Sequence, residues 1–167
     1  MFDREKHFDT DVEVSESMCA FYVFVLEDEL YALEASKTRE IKVGYQDPIE
    51  STPPISSFVI GTMQLEQEVV PVIDFSLRLG IKTKVKNSQT KTMIVAETVF
   101  HKQEKKCGIV VDSLLNITNI RTRDIINTPL YKPDIKQYFI SNQFSDSKEI
   151  IKILDIDVLL AEIELFV

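Results

Sequence analysis

The chain has 167 residues, about one domain's length, and a folded chain of that size buries roughly 70% of the surface its unfolded form exposes. At 44% hydrophobic and 28% charged it has an ordinary globular composition, which excludes wholesale disorder and fibrous repeats. A net charge of −8 disfavours nucleic acid and anionic lipid as partners, and the only dense basic run, Lys82, Lys84 and Lys86, lies in a polar stretch that reads as a linker.

Residues 1–17 hold six carboxylates and little apolar surface, so an acidic, flexible tail is expected there, with the folded unit over 18–167. That tail lacks an apolar signal segment, and the longest apolar run, Cys19–Leu26, is eight residues against the ~20 of a membrane helix. A cytoplasmic protein without membrane insertion is the expectation. "CAFYVFVL" places Phe21, Val23 and Val25 on one face and Tyr22, Phe24 and Leu26 on the other, the pattern of a strand covered on both sides. "EDELYALE" reads as a turn at Glu27–Glu29 and a second strand, and "ASKTREI" as one or two helical turns.

Gly44, Pro48, Pro53 and Pro54 bar any long helix from 44–57 and leave turns with one short strand. "GTMQLEQEVVPVIDFSLRLGI" then forms a hairpin: Ile60–Leu65 pairs with Val69–Ile73 across Glu66, Gln67 and Glu68, Pro71 implies an edge or bulged position, and a helical turn ends at Gly80. The polar run 82–90 is the expected seam between two halves. "TMIVAETVF" and "KCGIVVDSL" flank the charged loop "HKQEKK" as a hairpin. "LLNITNIR" and "TRDII" follow as short strands, "TPLYKPDIK" as a loop, and "QYFISNQF" with "EIIKILD" as a last hairpin. Ile156, Leu159, Leu160 and Ile163 keep helical spacing behind Asp155, a suitable N-cap. About ten short strands with a seam predict two small barrels.

Residues suited to chemistry are missing from recognisable patterns. Cys19 and Cys107 sit in apolar runs without metal-ligand spacing and read as small buried hydrophobes. The four glycines are too scattered to cradle a phosphate. His7 and His101 have no neighbouring nucleophile motif, and "DID" at 155–157 lacks the oxygen ligand and glycine of a calcium loop. No cofactor and no catalytic residue are expected. Paired acids on a barrel are the enzyme alternative; an oligonucleotide-binding barrel would need a basic face among its aromatics, which Phe21–Phe24 lacks.

Four ordered stretches resemble the CheW-like family: "YALEASKTREI" at 31–41, "IGTMQLEQEVVPVIDFSLRLG" from Ile60, "GIVVDSLLNI" at 108–117 and "ILDIDVLL" at 153–160. The resemblance covers about 19–165. It implies a mainly β fold of two five-stranded SH3-like barrels sharing a core, with a short first helix and a C-terminal helix. It implies a non-enzymatic adaptor coupling chemoreceptor cytoplasmic tips to the regulatory domain of the histidine kinase CheA, able to contact other CheW-like domains and recruited to receptor arrays. The contact face it implies contains Arg39, Glu40, Gln64, Glu66 and Gln67, with Val70 and Leu115 as further, more core-like members. The family's Asn-Leu-Arg-Gly turn is here Gln64, Leu65, Glu66 and Gln67, so an Arg facing Glu40 is replaced by an acid. A like-charge contact of Glu66 with Glu40 is then expected, costing up to ~1 kcal/mol, too little to unfold a domain but enough to change partner choice. The alternative is a CheW-like module serving another signalling or array-localising assembly.

Overall fold

A computed structural model describes residues 16–45, 48–50, 58–80, 91–127, 140 and 142–164. In chain order the elements are β1 (Met18–Leu26), β2 (Glu29–Glu34), a 3-10 turn (Ala35–Lys37), β3 (Thr38–Val43), β4 (Val59–Leu65), β5 (Glu68–Asp74) and α1 (Phe75–Arg78). They continue as β6 (Thr92–Phe100), β7 (Gln103–Val111), β8 (Ser113–Arg121), a 3-10 turn (Thr122–Asp124), β9 (Ile126–Asn127), β10 (Asn142–Asp146), β11 (Glu149–Ile153) and α2 (Ile156–Glu164). The expected helix over 35–41 is one 3-10 turn. Thr38–Val43 is a strand because it pairs along β6, which satisfies its backbone and outweighs a weak local preference. Likewise the expected strand at 122–126 opens as a 3-10 turn, and the loop expected at 101–106 shrinks to His101 and Lys102, because Gln103–Lys106 pair with β6. The 82–90 and 128–136 segments lie outside the described residues.

The strands form two sheets, ordered β8-β1-β2-β11-β10-β9 and β3-β6-β7-β5-β4. The second sheet takes strands from both sides of residues 82–90, so the division between sheets does not fall at the expected seam. One sheet is built from the two ends of the chain and the other from its middle. Both curl. In a flat six-stranded sheet the outer strands would stand about 24 Å apart. Here the outer members β8 and β9 are joined by Thr122–Ile125 alone, a reach of ~18 Å at full extension. In the second sheet the guanidinium of Arg39 on edge strand β3 touches Glu66, at the turn leading out of the opposite edge strand β4. The fold is therefore a pair of SH3-like barrels, and the β8–β9 run, bent at Thr122–Asp124, acts as one stave of the first.

Three apolar clusters follow from strand alternation. Phe21, Val23, Ala32, Phe144 and Ile151 fill the first barrel, and Met63, Leu65, Val70, Val72, Met93, Val95 and Val110 fill the second. Between them, Phe24, Leu26, Tyr31 and Leu33 from one sheet meet Ile73, Phe75, Ile94, Cys107 and Ile109 from the other, sealed by Leu159 and Leu160 of α2. Strand β1 is covered on both sides, as its sequence predicts, with a bulge between Val23 and Phe24. Cys107 is fully buried and Cys19 half-buried, both as free thiols.

Pro71 is not on an edge strand: β5 lies between β4 and β7. Its register partner Thr62 turns both backbone groups to Glu50, so this pair exchanges no ladder bonds with β5, and pairing with β7 starts only at Val72. The missing N–H of Pro71 thus removes nothing. Asp74 caps α1 by accepting N–H bonds from Ser76 and Leu77 and pairs with Lys91 at 3.5 Å. Three hairpin tips, at Glu27–Asp28, His101–Lys102 and Ser147–Lys148, put both residues at positive φ without a glycine. Such tips cost local strain that the flanking ladders must hold. No helix among the described residues is long and apolar enough to cross a membrane.

The junction between the barrels carries a polar clasp. Asp155 Oδ1 accepts the N–H groups of Asp157 and Val158 and caps α2. Asp157 in turn accepts from Lys37, at 2.5 Å, and from the Thr98 hydroxyl, tying the helix to the inter-sheet turn and to β6. Burial pushes the Asp157 carboxyl up, but the bonds from Lys37 and Thr98 outweigh it and hold the group below its ordinary range. A depressed carboxyl stabilises the fold above its unfolded value, near pH 4, and loses that contribution as pH falls through the lower folded value. Acid unfolding of Asp157→Asn should therefore show a shallower loss of stability below about pH 4 than the parent protein; equal slopes in urea titrations at stepped pH would contradict it.

Candidate functional site

On one face of the second sheet, alternation continues the apolar interior of the barrel into charge. Val95, Gly108 and Val70 are followed two residues toward the barrel's end by Glu97, Lys106 and Glu68. Glu97 and Lys106 are direct cross-strand partners. Lys106 Nζ donates to Glu68 at 2.7 Å and lies 3.8 Å from Glu104. Arg39 completes the arc: Nη1 donates to Glu97 at 3.2 Å and Nη2 to Glu66 at 3.1 Å. Charges thus alternate from β3 to β5 across the mouth of the barrel, over Leu65 and Val70. Hydrogen bonding to Glu66, then to Glu97, raises the Arg39 guanidinium above its ordinary range; bonding to Lys106 lowers Glu68, and Glu68 raises Lys106. Solvent screens pairs at a barrel mouth, so the arc orients side chains more than it holds the fold.

Of the residues singled out in sequence, the structure brings Arg39, Gln64, Glu66 and Gln67 together. Glu66 adopts φ 53° at the β4–β5 turn, and the Gln64 side-chain amide donates to its carbonyl at 3.2 Å. Gln67 is exposed beside it. Glu40 follows Arg39 on β3 and stands 3.9 Å from Lys42. The expected like-charge contact of Glu66 with Glu40 is not made: the acid at the turn meets Arg39. A bulge in the β3–β6 ladder between Thr38 and Glu40 breaks the alternation at Arg39. An ion pair is present, with the acid at the turn and the base on the strand. Val70 is a wall of the second core, 3% exposed, and offers no contact surface. Leu115 is exposed but belongs to β8 of the other sheet.

Sequence reasoning missed Glu97, Lys106, Glu68 and Glu104 as members of the site. No local signal marks them, because register alone sets them side by side. Val69, opposite Gln64, and Val99, opposite Glu104, add exposed apolar surface at 66% and 69%. Elsewhere, a cavity of about 150 Å³ at the start of α2 is lined by Glu34, Lys37, Asn142, Asp155 and Asp157. It is smaller than the ~300 Å³ of small-ligand sites, and its aspartates are engaged in the cap and the clasp. Among the described residues no group of three His, Cys, Asp or Glu is arranged to hold a metal ion.

Two fused SH3-like barrels with a shared core and a charged mouth define the fold class of the protein. The family model for the CheW-like domain matches residues 20–164, and the chain belongs to that family. It is 27% identical over 134 residues to the chemotaxis protein CheW of Rhizobium meliloti (strain 1021), covering 80% of this chain and 82% of that one. To the chemotaxis protein CheW of Helicobacter pylori it is 26% identical over 133 residues, 77% of this chain and 75% of the relative. The crystal structure of the scaffolding protein TtCheW from Thermoanaerobacter tengcongensis superposes with a TM-score of 0.70 at 25% identity, covering 83% of this chain and 89% of that one.

Proposed function

We propose that the protein is a non-enzymatic chemotaxis scaffold that couples chemoreceptor cytoplasmic tips to the regulatory domain of the histidine kinase CheA. The family match across residues 20–164 carries this reading. On this reading the protein works in the cytoplasm at membrane receptor arrays, with other CheW-like domains as further partners. The contact face is the barrel mouth at Arg39, Glu40, Gln64, Glu66 and Gln67, with exposed Val69 on the outer side of β5 opposite Gln64. Leu115 stands apart as an exposed apolar group on the first barrel, and Val70 acts only by shaping the wall beneath.

Titration of the folded protein with the cognate kinase regulatory domain and with a receptor cytoplasmic fragment tests the proposal, and saturable binding to at least one is expected. Binding to neither would overturn it. Glu66 and Gln67, standing where the family has Arg-Gly, favour a second reading, a CheW-like module serving a different assembly. Labelled protein that stays away from receptor arrays in cells while still binding a kinase-type domain would favour that second reading.

A further inference from the structure

We propose that the Glu66 carboxylate is the docking group for a basic side chain of the partner protein, and that Arg39 falls back on Glu97 when that side chain binds. This rests on the scaffold reading above and names the chemistry its partner must present.

The Arg39 fork is unequal. Glu97 sits on β6, 25% exposed and paired in register with Lys106, whereas Glu66 stands at a turn tip with its side chain 72% exposed. Losing the Glu66 contact costs little, because solvent screens an ion pair at an exposed turn tip. Losing both would leave a guanidinium without its carboxylates. With Glu97 retained, Arg39 keeps a charge-assisted bond whichever group Glu66 meets, so a competing cation strands no charge. Glu66 can also hold two cations together, since a carboxylate accepts up to about four hydrogen bonds.

The sign of the partner's charge follows from what the mouth shows to solvent. Its cations lie low, with Arg39 33% and Lys106 8% exposed. Apart from Glu97, at 25%, its carboxylates stand high, with Glu66 at 72%, Glu68 at 56% and Glu104 at 63%. Each cation already lies beside two carboxylates that offset its charge, while an incoming guanidinium or ammonium finds several exposed acceptors. Lys105 alternates to the opposite face of β7 from Lys106, and His101 and Lys102 bound the patch at the hairpin tip. Val69, on the outer side of β5 opposite Gln64, supplies apolar surface on which the aliphatic stem of an Arg or Lys can lie while its head reaches Glu66. The positive-φ turn, tied by the Gln64 amide, keeps that carboxylate placed before the partner arrives.

The test is association kinetics with the kinase regulatory domain and the receptor fragment at low and moderate salt, using the parent protein, Glu66→Gln, Glu66→Arg and Glu97→Gln. For one of the two partners, Glu66→Gln should weaken binding about tenfold, mainly through slower association, and flatten its salt dependence; Glu66→Arg should weaken it about a hundredfold or more. Glu97→Gln should weaken binding of that same partner several-fold, because Arg39 is then left with Glu66 as its carboxylate partner and competes for it; unchanged binding by this variant would overturn the fallback role of Glu97. Folded Glu66→Arg that binds both partners with parental affinity overturns the inference alone. Parent protein that binds neither partner overturns the scaffold reading and this inference with it.

Discussion

Phe75→Ala should lower the unfolding free energy by about 3–5 kcal/mol, a large share of the ~5–15 kcal/mol available to a domain of this kind. Phe75 opens α1 at the end of β5, is 0% exposed, and reaches out of its own sheet into the other. Its ring meets Tyr31 edge-on, with centroids 5.3 Å apart, and Phe24 at 5.9 Å; those two stack on each other at 6.0 Å. Removing it leaves a cavity at the one place where both barrels and α2 share a core, and neighbours anchored in two sheets cannot collapse into it. The unfolding midpoint in urea should fall with an unchanged slope, showing that both barrels still unfold together. A loss below about 1 kcal/mol, or a transition split in two, would refute the shared core.

Gly61→Ala should cost about 2–4 kcal/mol, from ~1–3 for forced displacement in a packed region and ~0.5–1.5 for each hydrogen bond lost. A Cβ on Gly61 would lie 2.2 Å from the Glu50 carbonyl oxygen and 2.9 Å from its carbon, which are backbone atoms without a rotamer to change. Glu50 is held there by two bonds with Thr62, of 2.8 and 2.9 Å, and the β4 ladder shifts register between Val59 and Gly61 to admit it. Either that bridge opens or β4 moves off its barrel. The melting temperature should drop by roughly 3 °C per kcal/mol for a chain of this size, hence about 6–12 °C in a thermal scan. Parental melting would mean that the bridge carries no weight. Gly108→Ala, by contrast, meets the flexible tip of Met93 first, at 2.9 Å, and a thioether can swing aside.

Much of the fold could be read along the chain because its signals are local. The β4–β5 hairpin, the doubly covered β1 and the capped α2 each show in the spacing of neighbouring apolar residues, and Asp155 precedes α2 as its cap. The errors arose where a distant partner overrides local preference. Thr38–Val43 became a strand through β6, and Gln103–Lys106 did so for the same reason. The tips at Glu27–Asp28, His101–Lys102 and Ser147–Lys148 carry no glycine to announce them, since the ladders on either side impose the turn.

The candidate site divides in the same way. Gln64, Glu66 and Gln67 stood out because they depart from a family pattern at a turn. Arg39 stood out with them, but not as the counterion of Glu66, because a bulge in the β3–β6 ladder re-aims it and separates its role from that of Glu40. Glu97 and Lys106 lie 58 and 67 positions beyond Arg39 in sequence and are brought level with it by strand register. What the amino-acid sequence determined by itself is the set of amphipathic segments, their caps and the family they spell, all of which depend on contacts within a few residues. Which strand lies beside which, which carboxylates share one guanidinium, and that the middle of the chain forms one barrel while its two ends form the other were decided only in three dimensions, because backbone pairing between remote strands sets the register from which every cross-strand contact follows.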